Sequence, residues 1–171
     1  KREHVLVTPE QLRARGVELH EIGRGGDVTY HGPGQLVAYP IFDLRPDRCD
    51  VRRYVRSLEQ VMLQVAESYG LTPRLIEGMT GAFCEDRKYG ALGVRISRWV
   101  TMHGIAMNIS TDLDAFSLIV PCGLRTTSVT SLARETARPI PISEASARTI
   151  EAFARVFDYT LVRAQPATVI T

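Results

Sequence analysis

The sequence predicts an α+β fold in which a mixed, mostly antiparallel sheet is backed by helices. Apolar side chains recur every three or four positions over residues 50–69 and 143–157, a spacing typical of amphipathic helices. Between these two segments, short apolar runs are separated by glycine or charged residues, as in a meander of antiparallel strands. A sheet of this kind needs a covering layer, and the two helices supply it.

A short helix and two strands are predicted at the start of the chain. Thr8 is a capping residue that is followed by proline and glutamate, and Gly16 stands where a helix would end, so a helix is predicted over residues 9–15. Residues 17–22 alternate apolar with polar side chains and predict a strand. Residues 35–44 predict a second strand, with a glycine-rich segment between the two.

The longest helix is predicted from Asp50 to Tyr69, with Gly70 as its stop. Its inward-facing positions are Val51, Tyr54, Val55, Leu58, Val61, Met62, Val65 and Tyr69. Strands are then predicted at residues 73–77, 81–85, 88–97 and 99–109, and one helical turn at 112–116. The closing helix at 143–157 is expected to turn Ile150, Phe153, Ala154 and Phe157 inward.

The composition is that of an ordinary globular protein. The chain has 171 residues, of which 44% are hydrophobic and 23% charged, and we expect residues 1–171 to form a single domain. A net charge of +2 gives no argument for nucleic acid as a partner. No run of about 18 apolar residues and no secretory leader is seen, so no membrane span is expected. Three widely separated cysteines favour the reducing cytoplasm over a secreted disulfide framework.

A glycine-rich segment, residues 24–40, is the most informative stretch. It places four glycines, a proline and His31 between the two predicted strands. Backbone freedom of this kind serves the close approach of a ligand, although a turn-rich hairpin connection uses the same residues. The segment lacks the GxxxxGK[ST] and GxGxxG patterns, so no phosphate loop is predicted.

Cys122 is the candidate nucleophile, because Pro121 and Gly123 flank it at the end of an apolar run. A glycine amide beside a nucleophile can hold an oxyanion. A thiol with its usual pKa of about 8.5 needs a nearby cation or base, and Lys88, His31 and His103 are the candidates, each in a segment that contains glycine. The alternatives are a buried, inert cysteine, a solvated lysine and hydrogen-bonded loop histidines.

Small residues cluster in the two longest predicted strands, at positions 90, 91, 93, 104 and 106. They leave strand faces with little bulk, on which an extended aliphatic chain can lie; close packing of strand against helix is the alternative. The four histidines have no metal-binding spacing, so no metal site is expected.

Four segments together resemble the lipoyl(octanoyl) transferase family, the octanoyl-carrier-protein:protein octanoyltransferases. Residues 24–40 look like the family's RGG-x-x-T-[YW]-HGPGQ-L-V-x-Y-P signature, and residues 88–93 are similar to its K-x-x-A-[IL]-G segment. Residues 103–108 look like HG-[FL]-A-L-N, with Met107 in place of the usual leucine, and residues 119–123 match I-V-P-C-G. Gly90 stands where the family often has alanine. The resemblance covers roughly residues 1–135 and implies an amino-terminal portion, with a strand and a Gly-Arg element, that the printed chain does not include.

The resemblance implies the fold of the biotin and lipoate protein ligases, with Cys122 as nucleophile and Lys88 as its partner. It also implies a substrate site that is lined by three groups of residues: Arg24, Gly25, Gly26, Asp27, Val28, Thr29, Tyr30 and His31; Ala91, Leu92 and Gly93; and Gly104, Ile105 and Ala106. His31 is expected to orient Cys122 or the substrate carbonyl.

The implied reaction begins protein lipoylation and needs neither ATP nor another cofactor. The Cys122 thiolate would take the octanoyl group from acyl carrier protein, and a lysine amine of a lipoyl domain would then attack the acyl thioester. The implied acceptors are the lipoyl domains of 2-oxoacid dehydrogenase complexes and the glycine cleavage H protein.

Three alternatives remain at the level of sequence. An ATP-dependent lipoate or biotin protein ligase has the same fold and needs no nucleophilic cysteine. A non-catalytic acyl-carrier or lipid-binding module would keep the groove without turnover. A cysteine hydrolase would use Cys122 with His31 or His103 and pass the acyl group to water.

Overall fold

The computed structural model describes residues 4–120 and 128–162. Its helices and strands, in chain order, are α1 (Pro9–Ala14), β1 (Gln35–Ala38), α2 (Val51–Glu67), β2 (Pro73–Ile76), β3 (Met79–Cys84), β4 (Arg87–Ser97), β5 (Val100–Asn108), a 3₁₀ helix (Leu113–Leu118), α3 (Leu132–Glu135) and α4 (Ile142–Phe157).

Five strands form one sheet in the order β1-β5-β4-β3-β2, and every neighbouring pair is antiparallel. A parallel bridge between Lys88 and Val129 adds the chain that follows residue 127 beside β4. The β4–β5 hairpin turns at Arg98 and Trp99, which both have positive φ, as a two-residue turn between twisted strands requires. The predicted α+β class, with a mostly antiparallel sheet, is confirmed.

Helices α2 and α4 cover one face of the sheet. Asp50 caps α2, since its side chain accepts a hydrogen bond from the Arg53 amide. The α2 side chains that form the centre of the main core are Tyr54, Leu58, Val61, Met62 and Val65. The inward face predicted for α2 is therefore largely correct, except that Val51 is exposed.

The face of α4 was predicted less well. Ile150, expected to point inward, is 52% exposed, whereas Ala145, Thr149 and Ala152 are buried. Phe153 and Phe157 do pack against the main core. The smaller residues form the contact because α4 lies close to α2, where a large side chain has no room.

The strand predicted over residues 17–22 is not found. Alternation of apolar and polar residues favours an extended chain, but a strand exists only through pairing with a neighbour. In the described part of the chain, the backbone bond of this segment is from the Val17 amide to the Leu12 carbonyl, at the end of α1.

The first strand is shorter than the predicted 35–44. Pro40 has no amide hydrogen and cannot donate to β5. Beyond it, the Phe42 amide donates to the Thr101 hydroxyl at 2.8 Å, and Asp43 forms an isolated bridge with Val100. The predicted turn at 112–116 is the 3₁₀ helix, and α3 was not predicted.

No helix in residues 4–120 and 128–162 has the length and apolar character to cross a membrane.

Candidate active site

Residues 24–31, the first part of the glycine-rich segment, lie against the face of the sheet opposite α2 and α4. The Gly25 amide donates to the Val94 carbonyl of β4 at 3.0 Å. The Arg24 guanidinium donates to the carbonyls of Gly25 and Asp27 at 2.9 and 2.6 Å, which fixes the turn between them. Asp27 in turn accepts from the Val28 amide and contacts His4.

A second apolar cluster holds the other end of this segment. Val28 and Tyr30 pack against Leu12 of α1 and against Leu118 and Ile119 at the end of the 3₁₀ helix. The Tyr30 ring meets Phe116 edge to face, with 5.6 Å between ring centroids. Residues 24–31 are therefore anchored at both ends.

Small residues of β4 and β5 form the floor beneath this segment. Ala91 lies opposite Ala106, and Gly93 lies opposite Gly104. A shallow cavity of about 50 Å³ opens above them. Of the residues predicted to bind substrate, all except Gly25 and Tyr30 border it, and Tyr39 and His103 border it as well.

A larger cavity of about 720 Å³ lies on the other side of the segment. Its wall includes Tyr30 and the apolar side chains of Leu12, Leu118 and Ile119. The residues that border both cavities are Arg24, Gly26, Asp27, Val28, Thr29 and His31. The larger volume lies in the range of small-molecule sites, about 300–1,000 Å³.

Of the two roles considered for the small strand residues, close packing of strand against helix is found, and the groove for an aliphatic chain stays a prediction. A Cβ atom added at Gly90 would lie 2.6 Å from Met62 Sδ of α2, so this glycine permits close packing of strand and helix. A Cβ atom at Gly93 would lie 2.8 Å from the Gly25 carbonyl, so this one admits the glycine-rich segment. Leu92 and Ile105 pack in the main core, and it is therefore their backbone that borders the small cavity.

A β-bulge at Tyr89 determines the direction of Lys88. Ala82 pairs with Gly90 but Phe83 pairs with Lys88, so Tyr89 is an extra residue in β4. The Tyr89 hydroxyl donates to the Met62 carbonyl of α2 at 2.9 Å. The bulge consequently turns Lys88 to the same sheet face as Ala91, which strict alternation over three residues would prevent.

The Lys88 side chain extends along β3. Its Nζ lies 5.6 Å from the centroid of the Phe83 ring, and a Cβ atom at Gly81 would lie 2.6 Å from Lys88 Cε. Gly81 has a φ of +120°, a conformation that a residue with a side chain rarely adopts. Lys88 does not border either cavity.

Cys122 lies outside the described residues, as does Gly123. The chain after this segment pairs with Lys88: the Lys88 amide donates to the Ser128 carbonyl at 2.8 Å, and the Thr130 amide donates to the Lys88 carbonyl at 3.0 Å. Before the segment, the Val120 amide donates to the His4 carbonyl at 2.8 Å.

Neither of the two described cysteines borders either cavity. Cys84 is buried, and its burial raises the pKa of its thiol to about 11. Cys49 is exposed and does not border either cavity; its thiol donates to the Leu44 carbonyl at 3.6 Å.

An ion pair lies beside Lys88, between β4 and α3. Arg87 donates two hydrogen bonds of 2.9 Å to the Glu135 carboxylate, which also accepts from the Thr130 hydroxyl at 2.6 Å. The Arg87 guanidinium holds the pKa of Glu135 below its usual value.

His31 and His103 both reach the small cavity. His31 Nδ1 lies 2.6 Å from Gln35 Oε1, and Gln35 also bonds to Asn108 of β5. His103 meets the Tyr39 ring edge to face. Gln35 and Asn108 received no predicted role, although each ends a recognised motif, HGPGQ and HGIAMN. In the described segments, no group of three or more His, Cys, Asp or Glu side chains is arranged to hold a metal ion.

Comparison with known sequences gives close matches over nearly the whole chain. A family model described as the lipoyl protein ligase A/B catalytic domain matches residues 1–154. An octanoyltransferase of Myxococcus xanthus is 48% identical over 97% of this chain, which covers 48% of that relative. An octanoyltransferase of Chloroflexus aggregans is 46% identical over 95% of this chain, which covers 75% of that relative.

Solved structures with the same fold include protein ligases. A bipartite lipoate protein ligase from Thermoplasma acidophilum, solved with its E2 lipoyl domain, has a TM-score of 0.74 at 16% identity and covers 93% of this chain and 65% of its own. The apo biotin protein ligase of Aquifex aeolicus has a TM-score of 0.58 at 12% identity, covering 73% of this chain and 53% of its own. The predicted similarity to the biotin and lipoate ligase fold is confirmed.

Proposed function

The chain belongs to the octanoyltransferases, within the family of lipoyl protein ligase A/B catalytic domains, and we propose that it transfers an octanoyl or lipoyl group from acyl carrier protein to a lysine of a lipoyl domain. The observation that carries the proposal is the identity of 46–48% with octanoyltransferases over at least 95% of the chain. The acceptors are the lipoyl domains of 2-oxoacid dehydrogenase complexes and the glycine cleavage H protein. The reaction takes place in the cytoplasm, where the three separated cysteines stay reduced.

In the first half of the proposed reaction, the Cys122 thiolate attacks the octanoyl thioester of acyl carrier protein. The carrier's thiol leaves and the acyl group remains on Cys122 as a thioester. Lys88 favours the thiolate through its positive charge. The hydrogen bonds of Lys88 with Ser128 and Thr130 support this pairing, because the chain that follows Cys122 lies beside β4 there.

In the second half, the acceptor lysine amine attacks the acyl thioester. The carbon–sulfur bond breaks, an amide bond forms, and the amine proton passes to Lys88 or, through it, to the departing thiolate. The amide is more stable than the thioester, so this half proceeds without ATP.

The proposed substrate site consists of residues 24–31, 91–93 and 104–106. All of them except Gly25 border the small cavity or, for Tyr30, the larger one. The tetrahedral oxyanion of each half needs amide donors. The Gly25 and Val28 amides already donate to protein acceptors. The Gly123 amide and the remaining amides of residues 24–31 are therefore the candidates, whereas residues 91–93 pair with β5.

An ATP-dependent ligase is the second candidate, because solved structures of that class share the fold. The test is modification of a lipoyl domain under two conditions: octanoyl-acyl carrier protein without ATP, and free octanoic acid with ATP. Octanoylation in the first condition alone is expected. Modification in the second condition alone would replace the proposal with the ligase, and release of free acid without modification would replace it with the hydrolase.

A further inference from the structure

A continuous chain of hydrogen bonds leads from His31 to the backbone of Lys88. His31 Nδ1 lies 2.6 Å from Gln35 Oε1, and Gln35 Nε2 lies 2.9 Å from Asn108 Oδ1. Asn108 Nδ2 lies 3.0 Å from the Thr130 carbonyl oxygen, and the Thr130 amide donates to the Lys88 carbonyl. These hydrogen bonds connect His31 of the glycine-rich segment with Asn108 of β5 and with the backbone of Lys88 in β4.

The donor and the acceptor of each side-chain hydrogen bond in this network can be assigned. The Thr130 carbonyl can only accept, so Asn108 turns its amide nitrogen to Thr130 and its oxygen to Gln35. Gln35 must then donate from Nε2, and its bond to the Tyr30 carbonyl at 3.2 Å requires the same orientation. The remaining atom of Gln35, Oε1, can only accept, and His31 Nδ1 therefore carries the proton.

We propose that Gln35 and Asn108 are positioning residues that hold neutral His31 in the Nδ1–H tautomer, with the lone pair of Nε2 available at the cavities that His31 borders. Asn108 is only 4% exposed, so water does not compete for its bonds and they set the orientation of the Gln35 amide, while the bond from Gln35 to His31 is itself exposed. Nε2 in this state accepts a hydrogen bond from the N–H of an incoming lysine amine and directs the amine lone pair to the acyl carbonyl.

The opposite tautomer would place an N–H group where the amine must donate, and it would oppose binding of the acceptor. The role in acyl transfer rests on the function proposed above. The tautomer of His31 does not rest on it, and it can be measured without any substrate.

The first test is NMR of ¹⁵N-histidine-labelled wild-type protein near neutral pH. The His31 signals are identified by their loss in His31→Gln. We expect a protonated-type shift at Nδ1 and an unprotonated-type shift at Nε2. A predominant Nε2–H form in the wild type would overturn the proposal without any variant.

The second test compares Gln35→Leu with Gln60→Leu, a matched change at an exposed position of α2. In Gln35→Leu we expect the Nε2–H tautomer to become populated, and transfer from acyl-enzyme to a lipoyl domain to slow about tenfold to a hundredfold. Acylation by octanoyl-acyl carrier protein is expected to stay within about twofold. Gln60→Leu should match the wild type in all three measurements.

The outcomes separate the two proposals. An unchanged tautomer in Gln35→Leu would contradict the positioning role, and a changed tautomer with normal transfer would contradict the role of Nε2. A wild type that forms no acyl-enzyme, but has the Nδ1–H tautomer, would contradict the proposed function alone.

Discussion

At the scale of single residues, the proposed pairing of Lys88 with Cys122 depends on how Lys88 is held. Both backbone groups of Lys88 are bonded to the chain after residue 127, and its ammonium lies near the Phe83 ring. The half-buried position limits the conformations of a side chain that is otherwise flexible. A charge fixed in this way can act on a neighbouring thiol more strongly than one that moves in water.

Substitution of Lys88 separates its charge from its proton transfer. Lys88→Ala is expected to lower both acylation and transfer about a hundredfold or more. Lys88→Arg keeps a charge but cannot exchange a proton near neutrality, so it should recover much of the acylation rate and little of the transfer rate. Both rates are measured in single turnovers by intact-protein mass. Normal rates in Lys88→Ala would exclude the proposed dyad.

Substitution of Gly81 tests the space that Lys88 needs. In Gly81→Ala the new methyl group would lie 2.6 Å from Lys88 Cε and 2.4 Å from the Gly90 carbonyl oxygen. We expect the transfer rate per folded molecule to fall at least about tenfold, since the ammonium is displaced.

Gly78→Ala is the matched control for Gly81→Ala. Gly78 also has positive φ, but an added Cβ would meet nothing within 4 Å. The Gly78→Ala variant should lose about 1 kcal/mol of stability from backbone strain and keep the wild-type transfer rate. Equal activity losses in the two variants would show that strain, and not the position of Lys88, is responsible.

At the scale of the elements, β4 contains a β-bulge that the sequence pattern does not reveal. Its predicted bounds, 88–97, are close to the observed Arg87–Ser97. The bulge at Tyr89 was not predicted, because it results from pairing with β3 and from the bond of the Tyr89 hydroxyl to α2. The face on which Lys88 lies was therefore not available from alternation alone.

Helices were predicted more reliably than strands for a physical reason. The bounds of α2 follow from local signals, Asp50 as cap and the apolar period, since a helix satisfies its own backbone. Residues 17–22 have the alternation of a strand, but a strand is completed only by a partner. Ile150 was wrongly assigned to the core because periodicity does not reveal how closely α4 approaches α2.

The ion pair of β4 with α3 gives a dependence of stability on pH. Arg87 keeps the pKa of Glu135 below its usual value of 4.5, so the pair stabilises the fold above that value. Its contribution is lost as the pH falls through the lowered pKa of the folded state. Glu135→Gln should therefore cost stability near neutral pH and cost less below about pH 4, as measured by urea unfolding.

Glu151→Gln provides the comparison for Glu135→Gln. Glu151 is 68% exposed and lies 3.9 Å from Arg155, so its removal should have a small effect at both pH values. A loss for Glu135→Gln that is independent of pH would contradict the assigned role of the Arg87 pair.

At the scale of the whole molecule, the two faces of the sheet have different roles. Helices α2 and α4 bury one face and give the fold its core, while the other face carries residues 24–31 and the cavities. The motifs predicted which segments would be concerned with the site, and three of them meet at the small cavity. The link from Gln35 to Asn108 was not predictable, because it depends on the register of β1 with β5.

The same fold supports ATP-dependent ligases, so the architecture alone does not distinguish activation by ATP from transfer through a thioester. The central claim is that Cys122 carries the acyl group between two proteins. It rests on one covalent intermediate, and that intermediate has a defined mass.

The most direct measurement is therefore the intact mass of the protein after mixing with octanoyl-acyl carrier protein without ATP, for wild type and Cys122→Ala, followed by addition of a lipoyl domain. We expect an octanoyl adduct on the wild type only, discharged onto the domain when the domain is added. Octanoylation of the domain by Cys122→Ala at the wild-type rate, with no adduct on either protein, would contradict the thioester route.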